Sequence, residues 1–281
     1  MSAGRFQIAK ARAFSLLQHR RETGLDILTV FEPNEVINCL RANLISLDIA
    51  DRKLRSFTGL PVSTHSFFPG GNGLYQGVHA TRFPFGGTLI LGSNFGCVND
   101  FIDARGEVLV QDDRSNSTWK PLLRNLHDSG IKADECFFTN AWPLLHDGES
   151  NLGPVGDWLQ NPVLMDSCVR FFKYTFTTMQ PRLIVGLGTG PAAFLSYVWQ
   201  KDLSTWRGYS LKALDDLPMA TVRFQEQTAV CVAITHPSMP MNARLRRPTY
   251  QHRIGEVRLL TEARLKSEGI SNPPASWAGC R

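Results

Sequence analysis

The sequence predicts an α/β fold with three layers (α/β/α) around a central, mainly parallel four-stranded sheet. Four short apolar runs of strand length recur along the chain, and the segments between them are long enough for crossover helices. Three of these runs lead into an asparagine or a histidine, which is typical of strands that carry ligand-binding residues at their carboxyl ends. The 43% hydrophobic content of the 281 residues is sufficient for a full core.

The first 58 residues are predicted to form a helical extension packed on a main domain of residues 59–281. Residues 5–21 and the segment that follows Asn34, an N-cap candidate, carry apolar residues at helical spacing. Residues 59–87 are rich in glycine, proline and aromatic residues. That composition indicates either a surface loop near the functional site, which we favour, or two short strands around a turn.

Strand and helix patterns then alternate along the main domain. The predicted strands are residues 88–91, 135–140, 183–187 and 229–236. Helices are predicted over residues 117–129, from Pro162 to about residue 178, and in the basic region that closes the chain. The carboxyl ends of parallel strands share one edge, so Asn94, Asn140 and His236 are predicted to converge there. The alternative for His236 is that it only caps a strand.

Three glycines follow the third predicted strand, namely Gly186, Gly188 and Gly190. They partly resemble a dinucleotide-binding fingerprint, but their spacing is G-x-G-x-G instead of G-x-G-x-x-G, and no clear second βα unit with a ribose-binding acid follows. Close packing of strand on helix explains them as well as a cofactor does. A nucleotide-dependent transferase or dehydrogenase therefore stays as a third hypothesis.

The cysteines and the apolar runs indicate the cellular setting. Six cysteines are spread singly, without the C-x-x-C pairs typical of zinc or iron–sulfur sites, so we expect reduced thiols and no metal or other cofactor. No apolar run approaches the roughly 20 residues that span a bilayer. No secretory signal is recognisable at the start of the chain. We therefore expect a cytoplasmic protein without a membrane partner.

The net charge of +5 is concentrated after His236. Residues 242–281 contain eight Lys or Arg and three Asp or Glu, and the rest of the chain is balanced. Basic density beside a candidate site favours a polyanionic partner. The alternative is an ordinary solvated basic helix.

The ordered set of motifs resembles the uracil-DNA glycosylase superfamily. Residues 89–96 (LILGSNFG) look like its first motif in the asparagine-bearing form, and residues 137–140 (FFTN) are similar to the strand whose asparagine reads the uracil edge. Residues 181–188 (PRLIVGLG) are similar to the structural strand that follows, and residues 235–239 (THPSM) look like the H-P-S motif. The resemblance covers about residues 85–245.

This resemblance implies a monofunctional enzyme that hydrolyses the N-glycosidic bond of uracil or a related damaged base in DNA. Asn140 would match O4 and N3–H of uracil, and His236 would donate a hydrogen bond near O2 of the departing base. Asn94 would position the attacking water, although an amide cannot act as a general base.

The resemblance also implies substrate and DNA contacts around these three residues. Gly92, Phe95 and Phe101 would line the base pocket, with Phe101 preferred as the stacking ring; the family usually has proline where Phe95 stands. The predicted DNA contacts are Ser238, Met239, Met241, Arg244, Arg246 and Arg247. We expect a monomer with DNA as its partner. The second hypothesis is a non-catalytic nucleic-acid-binding protein of the same fold, because the first motif departs from the family pattern.

Overall fold

The computed structural model describes residues 54–55, 84–94, 118–146, 155–208, 210–239, 247 and 249–270. The predicted N-terminal helices and most of the glycine-rich segment lie outside these residues. Two short strands, β1 (Leu54–Arg55) and β4 (Leu145–His146), pair antiparallel. The end of the predicted extension is thus linked to the main domain.

A five-stranded sheet forms the centre of the described fold. Its strands are β2 (Thr88–Asn94), β3 (Cys136–Trp142), β5 (Leu183–Leu187), β6 (Met219–Phe224) and β7 (Gln227–Ile234). Their order across the sheet is β3-β2-β5-β7-β6, and the first four run parallel to one another. The predicted α/β class and the four parallel strands are confirmed.

The predicted number of four strands is wrong, because β6 adds an antiparallel strand at one edge. It forms a hairpin with β7 through a turn at Gln225, which has a φ of 55°. Only Val222 of its six residues is fully buried. The strand therefore lacks the continuous apolar run that marks the parallel strands, which are buried on both faces.

Six α-helices surround the sheet in the described residues. They are α1 (Trp119–Asp128), α2 (Val155–Gln160), α3 (Pro162–Met179), α4 (Thr189–Val198), α5 (Leu211–Asp216) and α6 (His252–Ser267). The start of α3 follows directly from its sequence: the Asn161 side chain accepts from Leu164 N at 3.1 Å, and Pro162 occupies the first helical position.

The helices cover both faces of the sheet, which confirms the three predicted layers. On one face, Ile90 and Val232 pack in a core with leucines of α1 and α6. On the other face, Leu89 and Cys231 pack with aromatic and aliphatic residues of α2, α3 and α4. Alternate residues of each parallel strand thus enter different cores, as a sheet buried on both sides requires. No helix among the described residues is both long and apolar enough to cross a membrane.

Candidate functional site

The strands β2 and β3 each carry an asparagine near the carboxyl edge of the sheet, two register positions apart. Their register pairs Gly92 with Asn140 and Asn94 with Trp142. The Asn140 side chain is 3% exposed, and its Nδ2 atom has no hydrogen-bond partner among the described residues. A buried amide without a partner costs about 1–3 kcal/mol. This position is therefore suited to a polar ligand that completes the hydrogen bonds of the amide.

Other polar atoms at the same edge share this property. Asn94 Nδ2, Trp142 Nε1 and Thr235 Oγ1 are buried and lack a partner within the described part of the chain. Native proteins leave few buried polar groups unsatisfied, and such groups commonly bind water or a ligand. All four residues lie at or directly beyond the carboxyl ends of parallel strands, but the Trp142 ring packs into the core against Phe194. The two asparagines are therefore the polar groups that favour a binding site at this edge.

His236 lies two residues beyond the end of β7 and begins a tight turn. Met239 N donates to His236 O at 2.9 Å, so the turn closes within four residues. Pro237 is buried beneath it, whereas Ser238 and Met239 are exposed. The turn of residues 236–239 therefore presents Ser238 and Met239 to solvent at the edge that carries the two asparagines.

Ser238 determines which ring nitrogen of His236 carries the proton. Its hydroxyl lies 2.8 Å from His236 Nδ1, and its backbone N–H donates to the same nitrogen at 3.4 Å. A backbone amide can only donate, so Nδ1 is the acceptor in this network and the neutral ring carries its proton on Nε2. His236 is thus a hydrogen-bond donor through Nε2.

Gly188 brings the end of β5 against His236. Its N–H donates to Ile234 O at 2.8 Å, and a Cβ at position 188 would lie 3.2 Å from the Cβ of His236. The glycine, with φ at 90°, also leads into α4. Because the amino end of a helix carries partial positive charge, the surroundings of His236 favour a nearby anion.

Gly186 lies on β5 between α4 and β7. A Cβ there would meet Leu195 Cδ1 at 3.4 Å and the Cβ of Ala233 at 3.7 Å, which are ordinary van der Waals distances. Packing therefore does not require glycine at this position.

The three predicted central residues share one edge but are spread across it. Neighbouring strands lie about 4.8 Å apart, so the main chains of β3 and β7 are separated by three spacings, or about 14 Å. Asn94 and Asn140 lie on adjacent strands at one side, and His236 approaches from the other side over Gly188.

The prediction that Arg247 contacts the DNA backbone is wrong. Its side chain is 0% exposed and forms an ion pair with Asp215, at 2.7 Å between Nε and Oδ1. Its remaining nitrogens donate to Ala233 O at 2.9 Å and Leu214 O at 3.2 Å. A guanidinium that is buried, with each of its three nitrogens donating a hydrogen bond, stabilises the fold and cannot reach a phosphate.

Much of the positive charge that follows His236 is neutralised locally. Arg253 pairs with Asp128 of α1, and Arg258 and Arg264 pair with the glutamates four residues further along the chain. The sequence surplus of cations therefore overstates the field that this part of the surface presents to a polyanion.

Five predicted site residues lie outside the described residues, namely Phe95, Phe101, Met241, Arg244 and Arg246. Their roles stay predictions. Met239 is 41% exposed at the tip of the turn, an unusual position for a large apolar side chain. Its predicted insertion between bases is compatible with this location.

The buried cysteines offer no nucleophile. Burial raises the pKa of the Cys136, Cys168 and Cys231 thiols far above the usual range, so they stay protonated. The described residues also contain no group of three or more His, Cys, Asp or Glu that could hold a metal ion.

Glu256 is a site residue that the sequence reading missed. It is 0% exposed, and its Oε1 accepts from Thr235 N at 2.8 Å, one residue before His236. The signal was present: Glu256 precedes Leu259, Leu260 and Ala263 at helical spacing, so a carboxylate stands on the core stripe of α6.

No protein-family model matches the chain, and no curated protein matches it significantly. The assignment of a function therefore depends on the residues of the site and their geometry.

Proposed function

We propose that this protein is a monofunctional DNA glycosylase that removes uracil, or a related damaged base, acting as a monomer without a metal or other cofactor. The main support for the proposal is the burial of the Asn140 amide at the sheet edge, where Nδ2 has no hydrogen-bond partner among the described residues. The edge that holds it also carries Asn94 and the His236 turn.

Asn140 supplies the base recognition in this proposal. Its Nδ2 donates to O4 of uracil and its oxygen accepts from N3–H, so one amide satisfies two groups. Cytosine presents the opposite pattern, and binding it would leave buried polar groups unpaired on both sides. Because a base in a duplex cannot reach such a position, the nucleotide must first leave the stack.

His236 stabilises the leaving base. Breaking the bond between C1′ and N1 transfers the electron pair to the base, whose O2 then accepts a hydrogen bond from Nε2–H. The Ser238 contacts hold Nδ1 as an acceptor, so the donor is oriented before the reaction begins. A preorganised donor of this kind contributes about a hundredfold or more in rate.

Asn94 orients the water that attacks C1′. An amide cannot remove a proton at neutral pH, but a sugar cation needs only a weak nucleophile. The water oxygen bonds to C1′, and the proton that it loses passes through solvent to N1 of the released base. The products are free uracil and an abasic site.

The exposed tip of the His236 turn contacts the DNA. Ser238 lies beside the phosphate path and Met239 fills the stack that the base has vacated. Arg247 is excluded from this role by its burial.

The test is an oligonucleotide with one uracil, incubated with the protein and then treated with alkali. Strand cleavage at the uracil is expected for the wild type and is expected to be lost in His236→Ala. His127→Ala is the matched control, because its imidazole is on α1 and its side chain is 89% exposed. The proposal would be refuted if stoichiometric protein produced no strand cleavage on oligonucleotides that contain uracil or any of several damaged bases. Binding without cleavage would instead favour a nucleic-acid-binding protein.

A further inference from the structure

The last residues of β7 extend beyond their neighbour β6. The first residue of β6, Met219, pairs with Val232, so residues 233–235 have no strand partner on that side in the described fold. On the opposite side, β5 continues to hold the strand, and Gly188 N donates to Ile234 O. His236 therefore follows a strand end that is supported by the sheet on one side only.

Two buried charged side chains take the place of the missing strand. Arg247 donates to Ala233 O at 2.9 Å, and Glu256 Oε1 accepts from Thr235 N at 2.8 Å. Residues two apart in a strand direct their main-chain groups to the same side, so both contacts lie where β6 would have continued. Both side chains are 0% exposed, which means that water does not replace them.

These contacts fix the main chain immediately before the turn. Thr235 precedes His236 directly, and Arg247 is itself anchored to Asp215 by an ion pair with a distance of 2.7 Å. Loss of the Glu256 acceptor would leave a buried N–H without a partner at this point, and the strand end would shift to satisfy it.

We propose that Glu256 and Arg247 are positioning residues for His236, acting as a side-chain continuation of the sheet edge. Neither touches the substrate. Their effect on catalysis rests on the proposed function, whereas their effect on the imidazole does not. Misplacement of a reacting group by about 1 Å can cost about a hundredfold in rate.

The kinetic test compares Glu256→Gln, which keeps an acceptor oxygen, with Glu256→Leu, which has none. Under single turnover, Glu256→Leu is expected to lower the rate by about tenfold to a hundredfold without a matching change in DNA affinity, and Glu256→Gln is expected to restore most of it. Glu262→Leu, on the same helix but paired with Arg258 and the Tyr250 hydroxyl, is the matched control and should keep the wild-type rate.

A second measurement, of the His236 tautomer, does not depend on enzymatic activity. In nitrogen-15 histidine spectra, assigned with His236→Ala, the wild type and Glu256→Gln should show His236 protonated on Nε2, and Glu256→Leu should show a mixture of tautomers. The inference would be overturned if folded Glu256→Leu had the same histidine spectrum and the same single-turnover rate as the wild type. It would also be overturned if Glu256→Gln and Glu256→Leu lowered the rate equally. If Glu256→Leu does not fold, Glu256→Asp is used instead, because the shorter side chain moves the acceptor oxygen away from Thr235 N by the length of one methylene. The expected and contradicting results are then the same as for Glu256→Leu. A wild type that forms no abasic sites refutes the proposed function alone, since the spectra still test the positioning.

Discussion

Substitution of Gly188 by alanine tests the packing of the β5 turn against His236. Gly188 has φ at 90° and ψ at −178°, a region that is essentially restricted to glycine, and a residue with a side chain is strained there by about 1–3 kcal/mol. The new Cβ would also lie 3.2 Å from the Cβ of His236, so the histidine must move by a few tenths of an ångström.

We expect Gly188→Ala to lose about 2 kcal/mol of unfolding free energy, or about 4–8 °C in melting temperature. The single-turnover rate of uracil release should fall by about tenfold, because His236 is displaced from its hydrogen-bonding position. Chemical denaturation measures the first effect, and an oligonucleotide assay measures the second.

Gly86→Ala is the matched control. Its φ is 67°, so the substitution carries a similar backbone strain of about 1–2 kcal/mol, but its Cβ would meet nothing within 4 Å. Stability should therefore fall in both variants and activity only in Gly188→Ala. Equal activity of the two variants at equal folded fraction would refute the contact between Gly188 and His236 as a determinant of the site.

Three further outcomes follow from the described contacts. Asp215→Ala leaves the Arg247 guanidinium buried without its carboxylate and should destabilise the protein by about 3–5 kcal/mol in denaturant titrations; a loss below about 1 kcal/mol would show that the pair is dispensable. Ser238→Ala removes one of the two donors to His236 Nδ1, so nitrogen-15 spectra should show a larger fraction of the other tautomer, and an unchanged ratio would argue against the serine as its determinant. Alkylation at mildly alkaline pH should label Cys136, Cys168 and Cys231 only after unfolding, since burial raises the pKa of each thiol and suppresses the thiolate; peptide mass spectrometry locates the label, and rapid native labelling would contradict their burial.

The parallel strands could be predicted from sequence because their burial on both faces leaves continuous apolar runs. The edge strand β6 could not, since only Val222 is fully buried and its pairing with β7 is set by the hairpin. The shared edge of Asn94, Asn140 and His236 was predictable for the same reason as the strands: parallel strands place their carboxyl ends together.

Arg247 illustrates what a linear reading misses. In sequence it belongs to a basic run, and such runs are usually solvated. Its burial depends on Asp215, 32 residues earlier, and on the Ala233 carbonyl left open where β6 stops. Glu256 is the opposite case. A carboxylate on an apolar helical stripe indicates a buried side chain already in the sequence, but its hydrogen-bond partner, Thr235 N, is known only from the fold.

The most direct measurement of the central claim is the amount of free uracil released from a uracil-containing oligonucleotide, quantified by mass spectrometry alongside the abasic sites formed. We expect equal amounts of free base and abasic site with the wild type, and a rate that falls by about a hundredfold or more in folded His236→Ala. No release of free base by stoichiometric wild-type protein, or equal release by His236→Ala, would contradict it.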